Sequence, residues 1–415
     1  MRTSLWSLAF AAGLLTGVAP SFGQFSQYTP PGPPSRPEPL RESLERSAKE
    51  ARWGWGAWRV DTVFGLSDLA YRKAEGETDR WSTTLTVGAQ GYWKWRSSLF
   101  AAYALPGILL DYSADLESSW LDRYGLGWFL RLGRLELETV GKRTESFERV
   151  SWESPARFRS TGDEGRLSLA VPITSRLFWT AGFTTSTVSY GSGENRSSLA
   201  RQLDRRQKTA ETGFRFKLSD RLELLLFGRK GEVRFSEDSP RGADLDLEGW
   251  GMDLSWRRPK SGLSLRWEQS RLQFLERPVV GSVSGSTAQA KLFWQPRSRF
   301  GLSLYGQRQW AFPLLRVEPV SVETRRGVAL ELGVTERLKL SLFSEQGELG
   351  SLVGPASTDD FQAQGARISF PLGRMRASVG YRRLQLEAGF SRSYRVSEWI
   401  GGLSLGLKGP SGPPF

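Results

Sequence analysis

The feature that most constrains this chain is a phrase that keeps returning. Apolar and polar residues alternate, a few residues break the pattern, and the alternation resumes. "LFWQPRSRFGLSLY" at 292–305 is one instance. Alternation with period two places successive side chains on opposite faces of a strand, so each instance predicts a β-hairpin. Tight breaks fall near Arg96, Gly133, Ile173, Ser219, Pro259, Arg297, Thr335 and Leu372, at intervals of roughly 40 residues. A propeller blade has a similar period but needs four short strands. Here each unit holds two long runs, one short turn and one long polar loop, such as "SYGSGENRSSLARQLDRR".

Short turns at one end and long loops at the other predict an all-β fold: a transmembrane up-and-down antiparallel β-barrel with short periplasmic turns and longer extracellular loops. Eight turns join sixteen strands. "AWRVDTVFGLSDLAY" adds one strand before them and "YRVSEWIGGLSLGL" adds one after, giving eighteen. If the first of these were linker, a second strand would have to go as well, leaving sixteen. An even number puts both chain ends on the short-turn side.

The rest of the chain divides around this barrel. Residues 1–23 read as a secretory signal peptide: Arg2, an apolar stretch, then Ser21 and Gly23 at the −3 and −1 positions. Residues 24–57 form a Pro-rich periplasmic segment. Within it "LRESLERSAKEAR" predicts a short amphipathic helix, read as part of a linker in preference to a plug. Residues 58–407 are the barrel and 408–415 a C-terminal tail. Hydrophobic content is 39%, and the body holds no apolar run long enough for a helical span.

The aromatics fit a barrel in lipid. Trp93, Trp95, Trp128, Trp179, Trp256, Trp267 and Trp294 all lie close to a short turn. Indole favours the bilayer interface, where its apolar ring and polar N–H are both accommodated, so these residues predict a periplasmic girdle.

If the apolar parity faces lipid, the other parity lines the lumen. It carries Arg131, Arg134, Arg176, Arg215, Lys217, Arg221, Arg266, Lys291, Arg299, Arg337, Lys339, Arg374 and Arg376. Glu136, Glu138, Glu223, Glu268 and Glu331 share these faces. The cations outnumber the carboxylates, and the whole chain has formal net charge +13. Same-sign charge in a low-dielectric cleft concentrates counter-ions, so the expectation is an anion-preferring pore with a basic periplasmic mouth. The same residues also fit an Arg–Glu lattice that merely lines the wall. Asp244, Asp246 and Glu248 alternate on the outward parity and read as a solvated strand extension.

Chemistry is bounded by what is missing. The chain has no His and no Cys. Ser-His and Asp-His catalysis, thiol chemistry, disulfides and His- or Cys-ligated metals are therefore excluded. The reading is a non-enzyme with no cofactor and no metal. Nucleic acid is set aside because the basic charge is spread around an exported barrel.

With its signal peptide, hairpin period, aromatic girdle and final strand "IGGLSLGL", the chain resembles Gram-negative outer-membrane barrels of the porin type. It departs from their assembly signal at Ile400 and in the trailing "KGPSGPPF". More loosely, the Pro-rich start, helix and first strand are similar to barrels associated with exopolysaccharide secretion. The resemblance implies localisation in the bacterial outer membrane. The partners it implies are outer-membrane lipid and lipopolysaccharide, the barrel-assembly machinery, and an anionic solute or polysaccharide as cargo. Two functions follow: a pore or exporter with a basic lumen, or a plugged barrel that holds partners through its loops or N-terminal helix.

Overall fold

The computed structural model describes residues 40–74, 80–111, 117–149, 153, 157–191, 202–236, 244–275, 281–313, 320–351, 358–372, 375–388 and 393–405. The segments read as signal peptide, proline-rich start and C-terminal tail lie outside them.

One helix, α1 (Leu40–Glu50), precedes the strands. In chain order these are β1 (Trp53–Trp55), β2 (Trp58–Ala74), β3 (Arg80–Trp95), β4 (Ser98–Ala104), β5 (Gly107–Asp111), β6 (Glu117–Leu121) and β7 (Arg123–Leu132). There follow β8 (Leu135–Arg149), β9 (Arg157–Pro172), β10 (Leu177–Tyr190), β11 (Arg205–Ser219), β12 (Leu222–Phe235), β13 (Leu245–Arg258) and β14 (Ser261–Phe274). The last are β15 (Ser282–Arg297), β16 (Phe300–Ala311), β17 (Ser321–Gly333), β18 (Lys339–Ser351), β19 (Thr358–Leu372), β20 (Met375–Glu387) and β21 (Tyr394–Leu405).

Every pairing is antiparallel, and β2 pairs with β21, so the sheet closes on itself. Closure removes the open edge that hydrocarbon could not solvate. Segments β4 and β5 both pair with β3 and together make one wall strand; β6 and β7 make the next. With β1 a short hairpin arm on β2, the wall has eighteen strands. Each of the eight predicted tight breaks is a short connection at one end of the barrel, as the alternation required.

Alternation also sorts the two faces. On β12, Leu222, Leu224 and Leu226 face outward while Phe227, Arg229 and Val233 are buried inside. On β13, Trp250 and Met252 are exposed while Leu245 and Leu247 are buried. The outer wall therefore carries an apolar belt around a closed, even-stranded barrel, which is the geometry of a bacterial outer-membrane protein. Above the belt the outer wall turns polar. Asp246 pairs with Arg234 at 2.7 Å and Glu248 with Lys230 at 3.1 Å, so the acidic run of β13 is an ion-paired extension of the outer wall.

Three apolar clusters fill parts of the interior. The first joins the long-loop ends of β10 to β17: Leu203, Leu245, Leu272, Phe274, Trp310 and Phe312 are all buried there. The second seats α1. Leu44 and Ala48 are buried against the inward-facing Tyr92, Leu99, Ala101, Tyr103 and Phe129. The helix expected as part of a linker is thus packed on the inner wall, because its one apolar stripe meets an apolar patch on β3, β4 and β7. The third lies at the long-loop ends of β19 to β21.

Candidate functional site: the charged inner wall

The interior wall is a lattice of cross-strand ion pairs. At its centre the carboxylate of Glu211 accepts from Arg229 at 2.8 Å and from Arg266 at 2.7 Å. Arg229 also reaches Glu268 at 3.2 Å, and both of these side chains are only 2% exposed. Arg266 lies over the ring of Phe227 at 4.3 Å and faces Asp253 at 3.8 Å. Phe227, on the same strand as Arg229, gives both guanidiniums an aromatic face.

Toward the short turns the lattice continues. Arg215 bonds Glu136 at 2.9 Å and, like Lys217, sits over the ring of Phe178 at 4.7 Å. Arg131 approaches Glu136 at 4.0 Å, and Arg166 meets Glu138 at 3.4 Å. On the facing arc, Glu331 lies in electrostatic reach of Lys291 and Lys339, and Lys339 in reach of Arg376. Nearer the long loops, Arg325 contacts Glu345 at 3.2 Å and Glu323 at 3.5 Å, and the Tyr305 hydroxyl donates to Glu345 at 2.8 Å. Tyr305 can lie across the wall because Gly327 stands opposite it; a Cβ there would fall 2.3 Å from the ring.

A last cluster sits behind the closing seam. Glu398 is fully buried, accepts from Arg382 at 2.8 Å, and faces Arg72 at 3.9 Å. These three residues come from β21, β20 and β2, so one carboxylate ties the last two strands to the first.

The predicted lumen residues therefore divide. Arg131, Arg215, Lys217, Arg266, Lys291, Lys339 and Arg376 are on wall strands with inward parity. Arg134, Arg176, Arg221, Arg299 and Arg337 are instead in the short turns, exposed at the rim, because two to five residues between strands leave no inner face to occupy. Arg374 lies outside the described residues. Sequence reading also undercounted the carboxylates. Glu164, Glu211, Asp253, Glu323, Glu345 and Glu398 face inward on the same parity rule and offset much of the basic excess.

All seven predicted girdle tryptophans are on the outer face; six lie near the short turns, whereas Trp267 is midway along β14. Trp58, Trp93, Phe100 and Trp128 occupy matched positions on neighbouring strands and stack in one row, with centroids 5.5, 5.1 and 5.9 Å apart. A second row near the long loops was not foreseen. Tyr71 packs at a tilt on Trp81 at 4.8 Å, and Tyr381 on Trp399 at 5.0 Å; Tyr71, Trp81 and Trp399 line an outer cavity of 250 Å³ at the seam. Their distance from the long loops, counted as it was for the short turns, would have found them.

The extracellular end has a device that alternation misplaces. Pairing of β15 with β16 stops at Ala288 and Arg308, whereas β16 stays paired with β17 to Ala311 and Ser321. Beyond Arg308 the β16–β17 hairpin leaves β15 and turns inward. Trp310, 1% exposed, lies over Gly285 and donates to the Ser270 hydroxyl at 3.0 Å. Trp310, Phe312, Val320 and Val322 of this hairpin and Leu203 are buried together in one apolar cluster at the long-loop end.

No family of known proteins matches the chain, and no curated protein does. The solved structures it is similar to include three Pseudomonas aeruginosa proteins. OccK5 (OpdH) shares 11% identity over 84% of this chain and 98% of its own, with a TM-score of 0.49. OpdK, solved with vanillate, gives 11%, 84%, 98% and 0.49. OccK2 (OpdF), solved in complex with glucuronate, gives 13%, 84%, 98% and 0.49. By its own strand count, closure and apolar belt, this chain has the fold of a closed eighteen-stranded outer-membrane β-barrel.

Proposed function

We propose that this protein is an outer-membrane channel for small anionic solutes, without enzymatic activity. The observation that carries the reading is the ladder of inner-wall cations. Arg215, Lys217, Arg229 and Arg266 rise along one arc on the rings of Phe178 and Phe227. Lys291, Lys339 and Arg376 stand on another. A carboxylate-bearing solute could exchange its own oxygens for those of Glu136 or Glu211 from one rung to the next. Binding would then be favourable enough to enter and divided enough to leave. The docked helix and the inward hairpin favour a small solute over an acidic exopolysaccharide. The tryptophan rows serve as the two interfacial girdles.

The test is reversal potential across a planar bilayer in a KCl gradient. Anion preference is expected, and Lys217→Glu with Lys339→Glu should shift it toward cations. Cation preference in the unmodified protein would sink the proposal.

A second reading, a plugged barrel, is favoured by α1. Besides its apolar stripe, α1 is held by Arg41 to the Ser97 carbonyl at 3.3 Å and by Glu45 to Lys94 at 3.6 Å. The chain has no cysteine of its own, so Glu45→Cys with Lys94→Cys can be joined by a short bismaleimide. If α1 is a plug that must leave, joining it should abolish conductance; if α1 is fixed lining, conductance should be unchanged.

A further inference from the structure

Each described short turn between wall strands carries a cation: Arg96, Arg134, Arg176, Arg221, Lys260, Arg299 and Arg337. Three of the turns share one local design. The hydroxyl of Thr174 accepts the backbone N–H of Arg176 and Leu177 at 3.2 and 3.1 Å. Ser219 does the same for Arg221 and Leu222 at 3.2 and 3.1 Å, and Thr335 for Arg337 and Leu338 at 3.1 and 2.9 Å. The phrase Ser/Thr-x-Arg-Leu thus closes the turn on itself and leaves the Arg at its tip.

These side chains differ from the inner-wall cations in one respect. Arg134, Arg176, Arg221 and Arg337 are exposed and make no ion pair among the described residues. They are also held at a fixed depth. The turns are too short to reach away from the bilayer, and outward tryptophans lie at the same end of the wall: Trp95 under the turn residue Arg96 at 5.5 Å, and Trp256 under Arg258, the last residue of β13, at 5.1 Å. Indole marks the membrane interface, so guanidiniums in the turns just beyond these strand ends stand at the level of lipid phosphates. The planar guanidinium fork matches two phosphate oxygens.

We propose that the turn cations form a collar that binds the phosphate headgroups of phospholipids in the leaflet at the short-turn face. Cations around a perimeter, four of them exposed and without an ion pair among the described residues, suit a ring of separate headgroups; Arg299 differs in facing Glu336 at 3.6 Å. An incoming solute would meet only those that lean over the opening. The collar stands whether or not the barrel conducts.

The test uses the full-length protein in phosphatidylcholine vesicles containing brominated phosphatidylglycerol or brominated phosphatidylcholine. Bromine quenches tryptophan only in contact, and several tryptophans lie beside the turns. Quenching should favour phosphatidylglycerol severalfold, since a surface cation near anionic lipid is worth about a factor of five, and should weaken as KCl rises. The combined variant Arg134→Gln, Arg176→Gln, Arg221→Gln, Arg337→Gln should bring the preference toward one. The corresponding Arg→Lys set should keep most of it, and heat-modifiable gel mobility checks that both sets fold. Equal quenching by the two lipids in the unmodified protein would overturn the proposal. So would a Gln set that alters ion selectivity while leaving lipid preference intact, which would assign these cations to solute at the mouth.

Discussion

The arginines inside this barrel and those on its rim have the same chemistry and opposite circumstances. Inside, Arg229 is 2% exposed and clamped between Glu211 and Glu268. At the rim, Arg221 is exposed and without an ion pair among the described residues, in a two-residue turn. A guanidinium in a low-dielectric interior must be matched, because removing one partner leaves the other charge uncompensated. A guanidinium in water has no such need, so it is available to something that is not protein. The difference teaches that net charge alone says little about how this chain can hold an anion: a rim cation can take one directly, whereas a paired inner-wall cation takes one only in exchange for its carboxylate.

The comparison can be broken most severely at the seam. Glu398→Ala should leave Arg382 and Arg72 facing each other without their carboxylate, at a cost of about 3–5 kcal/mol, read as a lower urea midpoint of the folded band. If the cost were only a few tenths, the inner wall would be wet and its pairing irrelevant. Glu211→Gln tests the centre. It keeps an acceptor but removes the charge that two guanidiniums share, so a loss of about 2 kcal/mol is expected together with stronger anion preference in the bilayer. Stability loss without a selectivity change would mean that solute does not pass that rung.

Smaller effects sharpen the rim. Thr335→Ala removes the hydroxyl that accepts two turn N–H groups and should cost about 1 kcal/mol in the same unfolding assay. Arg134→Gln, Arg176→Gln or Arg221→Gln alone should change stability by less than about 0.5 kcal/mol, as unpaired surface charges do.

The helix supplies a pH test. Burial pushes the Glu45 carboxyl up, but the hydrogen bond from Arg41 and the charge of Lys94 outweigh it and hold it below its ordinary value. A depressed carboxyl contributes stability above its unfolded value and loses it as pH falls through the folded one. The grip of α1 should therefore be intact at neutral pH and weaken below the ordinary Glu range of about 4. Modification of Leu44→Cys by a maleimide after brief acid exposure would report release; constant protection down to acid denaturation would show that apolar packing alone holds the helix.

The sequence by itself determined the wall. Alternation has a period of two, which depends only on backbone geometry, so it located the eight short turns, both closing strands and the outward face of Trp93, Trp95, Trp128, Trp179, Trp256, Trp267 and Trp294. It also identified the inward rungs Arg215, Lys217 and Arg266. Tertiary structure decided what alternation cannot carry. Glu136 and Arg215 are 79 residues apart in sequence and meet across the interior only because the strands between them curve into a barrel. The parity of β16 would send Trp310 to the lipid, but the hairpin parts from β15 and turns it inside onto Gly285. The stripe of Leu44 and Ala48 announced a helix with one apolar side, and only the closed wall supplied the patch it covers. A local pattern fixes which side a residue takes on its own strand; what it meets there depends on strands far away in sequence.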